Sequence, residues 1–184
     1  MPFSITHSKG LSAPDSGAED KIYGVDYVST GSHVLTGYST VKMSTFRRSQ
    51  TTSTFAIAEL AFTVSNTIAQ SFEFGVVYAT SISTCGIRLG LTYPATSSFA
   101  AMVEIPQGTV GAGLPTGKMM GYVTSTGQSI FSSSTPLAST KYFATVYGSI
   151  LPSANGTLQL MYATEVAGVG VTTFAGSYGK LETL

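Results

Sequence analysis

Short alternating runs of apolar and polar residues fill the end of the chain, residues 138–184. Three runs are rich in β-branched and aromatic residues, and they span residues 142–147, 157–162 and 169–174. This alternation places successive side chains on opposite faces of a strand. Asn155-Gly156 separates the first two runs, and both residue types tolerate positive φ, so the pattern predicts a β-hairpin at this turn. The stretch holds few charged side chains, which is typical of a sheet that packs rather than catalyses.

Strand patterns of the same kind continue upstream to about residue 41. Turn residues recur at the spacing typical of a β-sandwich or barrel, and residues 55–61 alone also fit a short helix. The predicted strands are Phe55–Ser65, Ser71–Thr80, Gly86–Thr92, Ser98–Ile105, Lys118–Thr124, Lys141–Ile150, Gly156–Thr164 and Val169–Gly176. A Gly-rich loop is expected at 107–117 and a Ser/Thr-rich loop at 125–137. The predicted fold class is all-β, an antiparallel β-sandwich or jelly roll.

Residues 1–40 differ from the sandwich domain predicted for residues 41–184. Scattered Ser, Gly and Pro break any periodicity there, apart from two short extended patches at 22–28 and 33–38. Because patches of this size cannot form their own core, we interpret the region as an extended N-terminal arm that docks on another surface. The residues predicted to make the arm contacts are Ile22, Tyr23, Val25, Tyr27, Val34, Leu35 and Tyr38.

The charge composition is unusual for a soluble domain. Charged residues make up 10% of the chain, against about 25% in typical domains, and nine basic residues balance nine acidic ones. The surface is therefore either neutral and rich in hydroxyl groups, or covered by partners in an assembly. Zero net charge, with Arg47-Arg48 as the only basic cluster, argues against nucleic acid as a partner. No apolar run reaches the length of a membrane span and no secretory signal is visible, so synthesis in a cytoplasm is expected.

Several predicted strands are apolar on both faces. In Ser71–Thr80, Phe72, Phe74, Val76 and Tyr78 share one face, while the other face includes Val77. In Lys141–Ile150, Phe143 and Tyr147 oppose an equally apolar face. An isolated antiparallel sandwich has polar residues on its outer face. We therefore expect the outer faces of these strands to meet neighbouring molecules.

Candidate catalytic groups are few. His7 and His33 lie in the predicted arm without metal-ligand spacing, and Cys85 fits a small, half-buried apolar position. The loop 107–117 lacks the Lys-Ser/Thr ending of a phosphate-binding loop. A pair of facing carboxylates among the glutamates of the β region leaves a polymer hydrolase formally open, although the chain contains no Trp. We predict no catalytic residue, no cofactor and no metal ligand, and we do not expect an enzyme.

Two charged residues interrupt otherwise apolar strands, namely Arg88 and Glu104. A buried charge needs a partner, because desolvation of an unpaired charge is costly. The sequence predicts a structural ion pair between Arg88 and a carboxylate, either Glu104 or Glu165.

Several short elements occur together in residues 55–184. They are "GIRL" at 86–89, "VEIP" at 103–106, "PSANGTL" at 152–158, "EVAG" at 165–168 and "AGS" at 175–177. In order and approximate spacing this series resembles the β-sandwich module of tailed-bacteriophage virion structural proteins. The resemblance implies a virion protein, homotrimeric and without enzyme activity.

Within that family, a short chain with a β-knob and an arm is most like a capsid cement (decoration) protein. The resemblance implies a homotrimer that binds the major capsid protein on the capsid surface and stabilises contacts between capsomers. Synthesis is expected in the host bacterial cytoplasm. The charge balance and the lengths of the apolar runs predict partners that include neither nucleic acid nor membrane. The alternative is a tail- or fibre-associated module that binds a host-surface glycan through loops 107–117 and 125–137.

Overall fold

The computed structural model describes residues 26–27, 33–34, 38–108, 115–135 and 137–184. The chain divides into two units, Met1–Tyr38 and Ser39–Leu184. In the first unit, β1 (Asp26–Tyr27) pairs antiparallel with β2 (His33–Val34). Four predicted arm-contact residues lie outside the described residues, namely Ile22, Tyr23, Val25 and Leu35. For Tyr27, Val34 and Tyr38 the description extends to the backbone only.

The second unit is built from antiparallel strands, and no helix occurs in the described ranges of the chain. The strands are β3 (Tyr38–Lys42), β4 (Arg47–Ser49), β5 (Phe55–Val64), β6 (Gln70–Thr80), β7 (Ile87–Thr92), β8 (Thr96–Gln107), β9 (Gly117–Val123), β10 (Ser129–Phe131), β11 (Tyr142–Pro152), β12 (Gly156–Thr164), β13 (Val171–Thr173) and β14 (Tyr178–Thr183). The predicted fold class, an antiparallel β-sandwich, is confirmed.

These strands form two sheets. The small sheet has the order β10-β7-β12-β5, and the large sheet has the order β3-β14-β6-β11-β8-β9, with β13 joining β6 to β4. The chain changes sheet at nearly every connection from β5 to β13, and only β8 and β9 follow each other within one sheet. Repeated crossing between the sheets is typical of a sandwich whose two inner faces share one core.

The predicted hairpin at Asn155-Gly156 is wrong. The strand before the turn, β11, pairs with β6 and β8, whereas the strand after it, β12, pairs with β5 and β7. The turn therefore carries the chain from the large sheet to the small one. Neither residue has a positive φ. Asn155 instead accepts a hydrogen bond from the Asn66 amide (2.8 Å), and a Cβ on Gly156 would lie 2.7 Å from the Pro94 side chain.

The core lies between the sheets and follows the predicted alternation. Phe72, Phe74, Val76 and Tyr78 of β6 are all buried. The small sheet contributes Ile57, Leu60, Phe62, Val64, Ile87, Leu89, Leu91, Leu158, Leu160 and Tyr162. In β5, a register shift opposite Gln159–Met161 separates buried Ile57 from buried Leu60 by three positions. This bulge explains why residues 55–61 also matched a helical period, although they form a strand.

Candidate functional site

The outer face of the large sheet carries an exposed group of large apolar side chains. We call this group the outer patch; its members are Met102, Met120, Tyr122, Phe143, Tyr147 and Tyr178. Met120 is 54% exposed, Tyr122 66%, Phe143 44% and Tyr147 38%. Strand alternation explains their position, because each lies between residues that point into the core. The sequence prediction that Lys141–Ile150 is apolar on both faces agrees with the exposure of Phe143 and Tyr147.

Strand register brings the patch together across five strands. Tyr122 of β9 faces Met102 of β8, which faces Tyr147 of β11. The same row continues to Glu73 of β6 and Lys180 of β14. Tyr147 donates its hydroxyl hydrogen bond towards Met102 Sδ (3.1 Å) and Glu104 (2.9 Å). Tyr147 is therefore in direct contact with Met102 and Glu104, and the members of the patch share one face of the large sheet.

The charges near the patch are paired within the face itself. Lys118 Nζ donates to Glu104 Oε2 at 2.6 Å, and the Tyr147 hydroxyl donates to Glu104 Oε1. The Lys118 ammonium, followed by the Tyr147 hydroxyl, lowers the pKa of Glu104, because both donors favour the ionised carboxylate. The same contacts with Glu104 raise the pKa of Lys118 and of Tyr147.

The other side of the patch is arranged in a similar way. Tyr178 donates its hydroxyl hydrogen bond to Glu73 Oε1, and the Lys180 ammonium lies 5.2 Å from the centre of the Tyr178 ring. Phe143 stacks on Tyr178 with ring centroids 6.1 Å apart. A Cβ on Gly75 would lie 2.5 Å from both of these rings, so a larger residue at this position would displace them. The face therefore combines stacked aromatic rings with one ion pair and one hydrogen-bonded carboxylate.

A shallow groove of about 230 Å³ runs along the patch. Tyr122 and Tyr147 line it, together with Met102, Ser149 and backbone of Gly148. The Gly148 backbone lies close to β8, since a Cβ there would meet the Ala100 carbonyl oxygen at 2.1 Å. The groove is thus an exposed, aromatic-lined depression on a rigid sheet.

Removing the Tyr147 hydroxyl is expected to raise the pKa of Glu104. In Tyr147→Phe the Lys118 ion pair remains, so we expect the Glu104 pKa to move towards its usual value without reaching it. The pKa of Glu104 is lower in the folded protein than in the unfolded chain, so its ionised carboxylate stabilises the folded protein. This stabilisation is present above the unfolded pKa of about 4.3 and is lost as the pH falls through the folded pKa. An NMR titration of the carboxyl carbons measures the change.

Glu59 provides the control for this titration. Glu59 lies on β5 of the small sheet and forms a two-bond ion pair with Arg47 of β4 (2.7 and 3.0 Å), and Arg47 lowers the pKa of Glu59. The Glu59 titration should be the same in the wild type and in Tyr147→Phe. An unchanged Glu104 titration in the variant would contradict the hydrogen bond from Tyr147.

The predicted ion pair of Arg88 is not formed. Arg88 lies on β7 of the small sheet, whereas Glu104 lies on β8 of the large sheet and pairs with Lys118. Glu165 follows β12 and accepts a hydrogen bond from the Gly86 amide (3.3 Å). The Arg88 guanidinium instead lies 4.5 Å from the centre of the Phe131 ring. A cation–π contact to the neighbouring strand β10 replaces the expected carboxylate.

One sequence feature could have indicated the actual partner of Glu104. The predicted strands Ser98–Ile105 and Lys118–Thr124 flank a single Gly-rich loop, which favours an antiparallel pair. The structure pairs β8 with β9 in this way, with Pro106 opposite Lys118 and Glu104 opposite Met120. Glu104 and Lys118 are therefore diagonal neighbours on one face.

The remaining sequence candidates are placed as follows. Cys85 is fully buried, and its thiol contacts Thr164 Oγ1 at 3.1 Å. The predicted loop 125–137 contains β10, which pairs with β7, and residues 109–114 of the Gly-rich loop lie outside the described residues. Within the described ranges, no three His, Cys, Asp or Glu side chains form a potential metal site. No helix in these ranges is long and apolar enough to cross a membrane.

Comparisons with known proteins give little further information. No family model and no curated protein matches the chain. Among solved structures, a match to a structure of the infectious bursal disease virus Gx strain covers 79% of this chain at 11% identity, with a TM-score of 0.19. This chain spans only 38% of that viral chain. A TM-score at this level does not establish a common fold, so the β-sandwich assignment rests on the strand pairings above.

Proposed function

We propose that this chain is a bacteriophage virion structural protein, specifically a capsid decoration (cement) protein. The observation that carries the proposal is the outer patch, where aromatic and methionine side chains are exposed beside the Glu104–Lys118 ion pair. Exposed apolar surfaces of this kind mark protein contact sites. The resemblance of residues 55–184 to the phage virion module supports the same conclusion.

In this proposal the protein binds the capsid surface as a homotrimer and stabilises contacts between capsomers. The arm, residues 1–40, would contact the major capsid protein through the apolar residues named above, from Ile22 to Tyr38. Burial of apolar surface contributes about 25 cal/mol per Å² before ordering costs. A modest contact repeated over many sites on a shell would therefore raise the force needed to rupture it. No enzyme activity, nucleic acid or membrane is part of this function.

A second candidate function is a tail- or fibre-associated module that binds a host-surface glycan. The groove between Tyr122 and Tyr147 favours it, since exposed aromatic rings beside the hydroxyl groups of Tyr147 and Ser149 suit a sugar. This site differs from the loops that the sequence suggested for glycan recognition. The paired charges and the methionines around the groove favour a protein partner instead.

The copy number of the chain in purified virions tests the proposal. Gel densitometry against the major capsid protein should give a simple ratio that corresponds to hundreds of copies. A few dozen copies or fewer would favour the tail component, and absence from the particle would contradict a virion role. Rebinding of residues 41–184 to stripped particles, compared with the full chain, tests the arm, whose removal should abolish capsid binding.

A further inference from the structure

We infer that the outer patch is the surface through which copies of this chain bind one another. This inference rests on the proposed function, which includes a homotrimer, and it names the residues of the subunit contact. In a cyclic trimer each contact is heterologous. The β9 part of one face, with Met120 and Tyr122, would therefore meet the β11–β14 part of the next copy, with Phe143 and Tyr178.

The side chains of the patch are those that subunit interfaces favour. Tyrosine, phenylalanine and methionine are enriched at interface cores, and tyrosine is frequent among the residues that dominate binding. Here these side chains are also held in place, since Phe143 stacks on Tyr178 and Tyr147 binds Glu104. Ordered side chains lose little conformational freedom on association, which favours binding.

The charged residues on the outer face favour a partner with little net charge. Glu104 is compensated by Lys118, and Glu73 accepts a hydrogen bond from Tyr178 and faces Lys180 across the strands. A partner that covers Glu104 therefore does not have to supply an opposite charge. A second copy meets this requirement, because the chain carries nine basic and nine acidic residues and copies do not repel one another.

The patch also needs a cover before any capsid is present. A decoration protein exists free in solution before it binds a shell. With 10% charged residues, this chain has little net or surface charge to keep an exposed apolar face soluble. Binding to other copies of the chain buries that face. A face that bound only the capsid would stay exposed to solvent in the free protein.

The size of the face sets how much of each subunit contact it can supply. The strands β14, β6, β11, β8 and β9 are adjacent in the large sheet, and β9 has 7 residues. With strands spaced about 4.8 Å apart and a rise of about 3.4 Å per residue, the projected area is roughly 570 Å². Protruding side chains increase the accessible area further. Because a heterologous contact uses only one part of this face from each copy, the patch supplies roughly 290 Å² of the ~800 Å² that each partner contributes to a standard interface.

Sedimentation equilibrium of the full-length protein tests the inference. The wild type should have the mass of a trimer at micromolar concentration, and Tyr122→Glu should weaken association about 30-fold or more, as for a residue that dominates binding. Tyr122 is 66% exposed, so the variant should keep the wild-type melting temperature when measured as a monomer. Met120→Glu, at a second exposed position of the patch, should act in the same direction.

Phe46→Glu is the matched control, since Phe46 is 70% exposed on the segment between β3 and β4, outside the patch. It should leave the mass unchanged. A monomeric wild type, or a trimer that persists in both patch variants, overturns the inference. A dimer that both variants dissociate supports the patch as the contact and contradicts the homotrimer. A patch-dependent trimer that is absent from virions supports the inference and contradicts the proposed function.

Discussion

Gly86→Ala is expected to destabilise the protein by about 3 kcal/mol or more, because a methyl group has no space at this position. A Cβ on Gly86 would lie 1.7 Å from the carbonyl oxygen of Ser132. The segment after β10 would have to move. That movement would break the hydrogen bonds from the Ser132 amide to the Ile87 carbonyl (3.1 Å) and from the Ile87 amide to the Ser132 hydroxyl (3.3 Å). Urea unfolding of the variant measures the loss of free energy of unfolding.

Gly117→Ala is the control for this substitution. Gly117 begins β9 and is exposed, and the nearest atom to its Cβ would be the Gln107 carbonyl oxygen at 4.0 Å. Its stability should stay within about 0.5 kcal/mol of the wild type. Equal urea midpoints for the two alanine variants would contradict the close approach of Ser132 to Gly86.

The positions of the long strands could be predicted from the sequence because their alternation is local. The observed β12, Gly156–Thr164, has the predicted bounds, and β6 begins one residue earlier than predicted. The short strands were missed or misjudged. The three residues of β10 lie in a Ser/Thr-rich tract, and β13 occupies only Val171–Thr173 of a longer predicted run. In such segments pairing with a neighbour, rather than their own pattern, produces the strand.

Strand pairing could not be predicted in the same way. Alternation shows that a segment has an inner and an outer face, but it does not show which strand lies beside it. Asn155-Gly156 has the composition of a hairpin turn and instead connects the two sheets. In this fold most consecutive strands belong to different sheets, so the usual preference for pairing between sequence neighbours fails.

The same reason limits prediction of the candidate site. The exposed apolar side of β11 was visible in the sequence, because Phe143 and Tyr147 alternate with core residues. The need of Glu104 for a partner was also visible. The identity of the partner depended on sheet membership, which places Lys118 beside Glu104 and Arg88 in the opposite sheet. Local chemistry thus indicated the type of surface, and topology decided its contacts.

Phe74→Ala should cost about 3–5 kcal/mol of the free energy of unfolding, as expected for loss of a buried phenylalanine. Phe74 is fully buried on β6, between β14 and β11. Its ring lies 5.6 Å from that of Phe62 on the small sheet and 6.1 Å from that of Phe72. The side chain therefore connects the two sheets, and its truncation leaves a cavity at their contact. Thermal or urea unfolding measures the effect, with Phe46→Ala as the exposed control.

A double-mutant cycle distinguishes the interaction between the Phe62 and Phe74 rings from the effect of removing side-chain volume from the core. If the rings of Phe62 and Phe74 interact across the core, Phe62→Ala combined with Phe74→Ala should cost less than the sum of the single changes, by about 0.5–1.5 kcal/mol. Coupling near zero would contradict direct packing of the two rings. Phe74 lies on β6, between two strands that carry members of the outer patch, β14 and β11, so the cycle also tests whether the core packing stabilises the sheet beneath that patch. A sheet held by such contacts keeps Tyr122 and Tyr147 in register, whereas a loosened core should weaken self-association together with stability.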